Sequence, residues 1–326
     1  MLGSCYHSIA LQSKILHISE ENLAADYAPL LQSVNELLRE DKHVTSTTLM
    51  ASSEPQQLLS SLVMQVQLEQ FAESRPTPRE RHVVDACAHD GAAWLEMVPT
   101  GDTRFMMTSE EWRIAARFRL GKAMYSRPIQ CPCCHNQVLD VYGIHGCTCQ
   151  SENDCRARHD ACRDALYDIA KEARLSVALE PNFLLSDTVA GDKPADVIFY
   201  QYGSGGRHAC VDVTIANSLE DFSTRDSPWK PSASFVRKAN DKNRKYLARC
   251  SERGFLFVPF VCGSLGGFGE DAMRVIKKVG RALGGATGIL PALAIDIVRR
   301  RLAFVIQKAQ ATSILRRGHM GDVMMG

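Results

Sequence analysis

Long apolar runs are missing from this 326-residue chain. No stretch is uninterrupted enough to span a bilayer, and residues 1–12 lack the charged-then-apolar pattern of a secretory leader. The expectation is a reducing, intracellular protein with no membrane partner. An excess of charge is missing too: 38 Lys and Arg face 37 Asp and Glu, for a net charge of +1. The overall charge gives no global argument for nucleic acid, and any electrostatic case has to be local. The glycine-rich segment 263–269 lacks the lysine of a P-loop, so it reads as a plain turn before a helix. Hydrophobic content of 45% and charged content of 23% are ordinary for a globular chain long enough for two modest domains or one large one.

Cysteine is plentiful. Seven of the twelve fall between Cys131 and Cys162, a density that points to metal rather than to bridges in a reducing compartment. Cys131-Pro-Cys133-Cys134-His135 is followed by His145-Gly-Cys147-Thr-Cys149. Two thiolates at one turn and a histidine with a thiolate at the next can assemble a small tetrahedral Zn²⁺ site. The C-x-x-C spacing favours Cys131, Cys134, His145 and Cys149, with Cys133, His135 or Cys147 as substitutes. Such a site is mainly a folding clamp.

Two short segments rich in β-branched and aromatic residues, Val-Ile-Phe-Tyr after Asp196 and Val211-Asp212-Val213-Thr214-Ile215, flank a glycine-rich turn. They predict adjacent strands joined as a hairpin, with Asp196 and Asp212 side by side. Two neighbouring carboxylates stay ionised when they share a hard cation such as Mg²⁺. On the second strand Asp212 and Thr214 share one face while Val211, Val213 and Ile215 share the other. A lysine two residues after the second acid is lacking, since Thr214 stands there.

The following helix, 234–250, offers a replacement. Phe235, Ala239, Tyr246 and Cys250 form its apolar stripe, and Lys242 lies about 20° from Phe235 at 100° per residue, so Lys242 is the lysine aimed inward. Lys238, Lys245 and Arg249 flank the stripe, within reach of a phosphate backbone. Residues 237–249 hold six basic residues against one acidic, Asp241, which is the local patch that the overall charge does not provide.

Elsewhere the pattern predicts helices over 20–40 and 58–72, with a Ser/Thr-rich linker over 45–57 and a break at Pro76 and Pro78. Thr108-Ser-Glu-Glu111 is a capping box, opening a helix with Trp112, Ala115, Ala116 and Phe118 inward and Arg113, Arg117 and Arg119 outward. Helix 154–174 carries Asp160, Asp164 and Asp168 every four residues. That row is either a solvated face or the source of a third metal ligand, for which Glu180 is the other candidate. Residues 254–262 read as a buried strand and 270–283 as a helix. A last helix covers 289–314, with Arg299, Arg300 and Arg301 on a solvated face.

Taken in order, Ala93-Trp94-Leu95 with Pro99, Phe118-Arg-Leu-Gly121, the Cys/His segment, Arg158-His159-Asp160, Leu179-Glu180-Pro181, Pro194-Ala195-Asp196, Val211-Asp212-Val213-Thr214 and Lys242-Asn-Arg-Lys245-Tyr246 resemble one family. The likeness is to the C-terminal region of reverse transcriptases from site-specific non-LTR retrotransposons, those with a restriction-like endonuclease, and it covers residues 90–312. It implies a PD-(D/E)xK restriction-endonuclease-like α/β fold, a mixed sheet flanked by helices, preceded by a zinc knuckle and a helical N-terminal region. It also implies a nuclease that nicks target DNA.

The resemblance makes Asp196 and Asp212 the Mg²⁺-binding acids, Lys242 the displaced catalytic lysine and Tyr246 the residue that accompanies it at the nucleic acid. DNA is the expected partner, RNA a second, and the nucleus the expected compartment. The sequence departs from the pattern in the alanine inserted between Pro194 and Asp196 and in an Asp where a Glu is usual. No polymerase signature of paired aspartates is present, so the chain reads as a detached endonuclease region or a binding remnant of one. The expected division is a helical N-terminal segment to 90, a helical connector 91–128, a zinc knuckle 129–152, an endonuclease domain 153–312 and a loose tail 313–326.

Overall fold

A computed structural model describes residues 28–74, 80, 91–98, 101–149, 154–180, 195–217 and 233–318. The chain divides into two compact units, Met1–Pro76 and Thr77–Gly326. Residues 20–27 of the first expected helix, the break at Pro76 and Pro78, the motif prolines Pro99, Pro181 and Pro194, and the tail beyond 318 lie outside the described residues.

The first unit is helical. Helix α1 (Ala28–Asn35) is followed by a 3-10 turn, Glu40–Lys42. Asn35 ties this turn back by donating to the Val44 carbonyl and accepting from the Val44 amide, both at 2.9 Å. The expected linker over 45–57 is folded instead. Thr45 caps α2 (Ser46–Ala51) by accepting the Thr48 amide, and Pro55 opens α3 (Pro55–Glu73), where a missing N–H costs nothing. Serine and threonine there act as caps rather than as solvent-seeking linker residues. Leu31, Leu38, Val44, Leu49, Leu59 and Val66 form a small core.

The second unit begins with a 3-10 turn, Ala93–Glu96, that buries Trp94. The capping box at Thr108 and Glu111 forms as expected and starts α4 (Ser109–Arg119). Its inward residues are Ile114, Ala115 and Phe118, whereas Trp112 is 52% exposed. Trp112 precedes Ile114 by two residues, about 200° around the helix, and so faces the other way. Arg117 and Arg119 are not displayed outward; they donate to the Ala123 and Gly91 carbonyls. Next come β1 (Ile129–Gln130) paired antiparallel with β2 (Val138–Leu139), a short helix α5 (Ile144–Thr148) and the long α6 (Asp154–Glu172).

The main sheet has the order β3 (Val177–Leu179), β4 (Val197–Phe199), β5 (Ala209–Ala216), β6 (Leu256–Gly263). The first three strands run antiparallel and β5 pairs parallel with β6, so this part of the chain is α/β with a mixed sheet. The hairpin between β4 and β5 turns through Gly205 and Gly206, both at φ above +70°, a conformation that suits residues without a Cβ. Helix α7 (Ala233–Glu252) crosses between the parallel strands. It covers one sheet face, where Tyr246 and Cys250 pack with Ile198, Cys210 and Phe257.

The opposite face lies against α6 and α8 (Glu270–Thr287), and α9 (Pro291–Arg317) packs on those two helices in the same core. The glycine-rich segment before α8 is the turn expected, tied by the Gly263 amide to the Gly267 carbonyl at 2.8 Å.

Helix α9 runs through 313–317, so the boundary expected at 312 falls inside it. It is buried nearly all round, and this changes the arginine run. Arg299 pairs with Asp296, Arg300 with Glu96 and Asp296, and Arg301 with Glu172. A helix enclosed by neighbours has no solvated face to give them. No helix among the described residues is long and apolar enough to cross a membrane.

Helices α8 and α9 approach closely at Gly280, where an added Cβ would lie 2.5 Å from the Ile295 Cα. Alanine in a helix interior gains about 1 kcal/mol over glycine, but a collision with backbone costs about 1–3 kcal/mol and cannot be relieved by a rotamer change. Gly280→Ala is therefore expected to lower the thermal unfolding midpoint by a few degrees, and Gly285→Ala on the open side of α8, with nothing within 4 Å, to leave it unchanged or raised.

Candidate functional site

Two groups of chemistry-bearing side chains lie in the second unit. The first is a Cys/His cluster built by two turns. The chain leaves β1 into a turn in which the His135 amide donates to the Cys131 carbonyl at 3.0 Å, bringing Cys131 and Cys134 to one side. Asp140 then accepts the Tyr142 and Ile144 amides at 2.8 and 3.0 Å, and Gly143 in the left-handed region starts α5. That places His145 on the helix and Cys149 at its end.

The ligand atoms of Cys131, Cys134, His145 and Cys149 all lie within 4.8 Å of one another, the one set of three or more gathered this tightly among the described residues. Cys131 and Cys149 Sγ are 3.9 Å apart, and Cys134 Sγ is 3.3 Å from His145 Nε2. Ligands around a tetrahedral Zn²⁺ stand about 3.5–3.8 Å apart, given bonds of about 2.0–2.3 Å. The arrangement therefore has the donor set and the size to bind a metal such as zinc.

Of the three alternative ligands, Cys147 faces the core. Gln310 Nε2 is 3.0 Å from its sulfur, and burial pushes its thiol up to about 12. Cys133 and His135 are outside the set as well. The Asn136 and Gln137 backbone amides, with the His145 ring, hold the Cys134 thiol down at about 6, poised as the thiolate a metal requires.

The second group sits where β3 ends and β4 begins, beside the middle of β5. Register pairs Val197 with Val211 and Leu179 with Val197, so the next positions along put Glu180, Asp196 and Asp212 in a row, one carboxylate per strand. The Glu180 amide donates to the Asp196 carbonyl and the Asp196 amide to the Val211 carbonyl, at 2.9 and 3.0 Å. Asp212 and Thr214 share a face as expected, with the Thr214 hydroxyl 3.3 Å from Asp212 Oδ2.

Lys242 arrives from α7 and sets its Nζ 2.9 and 3.1 Å from the two Asp212 oxygens. The Asp212 side chain is 6% exposed and that of Lys242 31%, so the pair stands at the boundary between core and solvent. Burial pushes the Asp212 carboxyl up, the nearby Asp196 charge pushes it further, and Lys242 opposes both. Burial and Lys242 are the larger of these influences, and the Asp196 charge adds to the first.

Asp196 is engaged elsewhere. Its Oδ2 accepts the Val213 amide at 2.6 Å and lies 3.0 Å from His159 Nε2, while His159 Nδ1 is 3.1 Å from Asp160. A ring with a carboxylate at each nitrogen donates from both only when protonated. Burial opposes that charge, but Asp196 and Asp160 override it and raise His159 to about 9.

His159 carries no signal of its own in the sequence beyond its place in Arg158-His159-Asp160; its role emerges because α6 ends up beside β4. The acidic row on α6 is not a free ligand source. Asp160 and Asp164 pair with Arg163 and Asp168 with Arg104. Glu180, the other candidate, also pairs with Arg163.

Of the residues expected at the nucleic acid, Lys238, Lys245 and Arg249 keep solvent access. Tyr246 does not: it is 5% exposed and its ring packs 5.5 Å from Phe257. Position 246 belongs to the stripe that holds α7 on the sheet, so its phenol supports the helix, with the Lys245 ammonium 4.7 Å from its ring.

Two measurements follow from this geometry. Purified protein is expected to carry about one zinc per chain by elemental analysis. Cys149→Ser should lose it, and Cys147→Ser should retain it. In Mg²⁺-free buffer, the His159 ring should titrate near 9 by NMR, and Asp196→Asn should bring it down towards the ordinary value of about 6.5. Because the folded value is raised, the stabilisation from this contact is fully present below about pH 6.5 and is lost as pH climbs through 9. Searches of the chain against protein-family models and against curated proteins find no match.

Proposed function

We propose that the second unit is a Mg²⁺-dependent endonuclease acting on DNA phosphodiesters, a restriction-like domain with a zinc knuckle of the kind found in site-specific non-LTR retrotransposons. The observation that carries this reading is the meeting of Lys242 with Asp212 across from Asp196: two carboxylates on adjacent strands and one amine from a different element, where β4 begins beside the middle of β5. The sheet with helices on both faces is the architecture that the resemblance implies.

Carboxylate oxygens are the donors a hard divalent cation prefers, and the Asp196 and Asp212 side chains would hold it between them. When bound, such a cation polarises a phosphodiester oxygen and makes its coordinated water easier to ionise. Lys242, held at Asp212, would offer its ammonium to the charge that develops at phosphorus. Lys238, Lys245 and Arg249, flanking the apolar stripe of the same helix, hold the backbone of the DNA against the site.

The alternative is a nucleic-acid-binding module without catalysis. The observation in its favour is that the acids are already satisfied: Lys242 lies against both oxygens of Asp212, and Asp196 is bound by an amide and by His159.

Nicking of supercoiled plasmid separates the two. Wild-type protein is expected to nick with Mg²⁺ and not with EDTA, Asp212→Asn to be inactive, and Lys242→Met to lose on the order of 10²-fold. Replacing Lys238 and Lys245 by alanine should weaken DNA binding and lower its salt slope by about 0.9 for each phosphate that is no longer neutralised. DNA binding that persists in Asp212→Asn, together with equal nicking by wild type and variant, would leave only the binding module.

A further inference from the structure

The first turns of α6 hold two neighbouring side chains that reach in different directions. Arg158 is 4% exposed. Its Nη2 donates to the Cys147 carbonyl at 2.7 Å and its Nη1 to the Gly146 carbonyl at 3.4 Å, the two carbonyls that follow the cluster residue His145. Nη1 also lies 3.0 Å from Ser313 Oγ, which itself donates to the Gly146 carbonyl at 3.2 Å, so α9 closes the same contact. One residue on, about 100° around the helix, His159 Nε2 meets Asp196 Oδ2, the oxygen that also takes the Val213 amide of β5. A single helical step thus separates the turn of the Cys/His cluster from the carboxylate that faces Asp212.

Charge supports the connection. Three thiolates around one Zn²⁺ leave a net charge of −1, and the described partners of Arg158 are carbonyls, a hydroxyl and the Cys155 sulfur, with no carboxylate among them. A buried guanidinium needs a compensating charge nearby, and the loaded cluster would supply one negative charge to Arg158 and to the buried Arg317, which shares Ser313 Oγ with it. Two forked contacts on one turn of α5 also fix the direction in which α6 starts.

We infer that Arg158 is a positioning residue through which the Cys/His cluster, when loaded, sets the geometry of the Asp196 and Asp212 pair. Without metal, the turn from 143 to 149 loses its centre, Arg158 loses fixed acceptors, and His159 no longer holds Asp196 against the Val213 amide. The structural coupling stands on these contacts alone. Its consequence for cation binding at the acids rests on the function proposed above.

Hydrogen exchange at the Val213 amide reads the coupling without reference to activity, and Mn²⁺ binding followed by EPR reads its consequence. In the full-length protein, stripping zinc with a chelator is expected to speed Val213 exchange and weaken Mn²⁺ binding, each by about tenfold, the scale on which outer contacts tune a metal site. Amides 275–280 in α8 should stay protected. Where stripping unfolds the whole unit, zinc-loaded Arg158→Lys carries the test: it keeps the charge but cannot bridge both carbonyls, and it too should expose Val213 about tenfold while α8 stays protected. Val213 exchange equal to that of the loaded wild type, in the stripped protein or in Arg158→Lys, overturns the inference. Faster exchange with no Mn²⁺ binding in any form leaves Arg158 in its positioning role and removes the hydrolytic reading instead.

Discussion

A carboxylate held out of water beside a second one is the constraint around which the second unit is arranged. Asp212 sits within β5, with Val211 and Val213 buried in the main core on either side of it, so it cannot withdraw to solvent without breaking the strand. Its charge survives there only if a cation comes to it. Lys242 answers that requirement, and the packing of Tyr246 and Cys250 on the sheet holds α7 where the lysine can reach. The same stripe that stabilises the fold therefore aims the amine.

The Cys/His segment obeys a different economy. Strands β1 and β2 have two residues each and α5 has five, too little regular structure to hold a shape through backbone hydrogen bonds. A metal held by Cys131, Cys134, His145 and Cys149 would supply the missing cross-links at one point. Arg158 and Gln310 then bind the segment to α6 and α9, so the small motif is part of the main core rather than an appendage.

The arginine row on α9 is paired and half-buried, whereas the acidic row on α6 is paired but partly solvated. Arg299, Arg300 and Arg301 reach acids on their own helix, on α6 and on the 93–96 turn; Asp160, Asp164 and Asp168 are tied to arginines. The Asp164 and Asp168 side chains are 50% and 48% exposed, so the pairs of those two acids contribute only about 0–1 kcal/mol, whereas the three arginines are half-buried. Half-buried pairs of this kind contribute modest net stability, but they fix which faces may meet.

Local chemistry was readable from the chain itself. Alternation along 209–216, the glycines at 205 and 206, the Thr108 capping box, the C-x-x-C spacing at Cys131 and the angular position of Lys242 depend on neighbours a few residues away, where backbone geometry fixes what a side chain can face. Partners distant in sequence were decided by the tertiary structure alone. His159 beside Asp196, Arg158 under the Cys147 carbonyl, Cys147 turned to Gln310 and Trp112 left exposed all depend on which helix lies against which strand, and no periodicity within a single element encodes that.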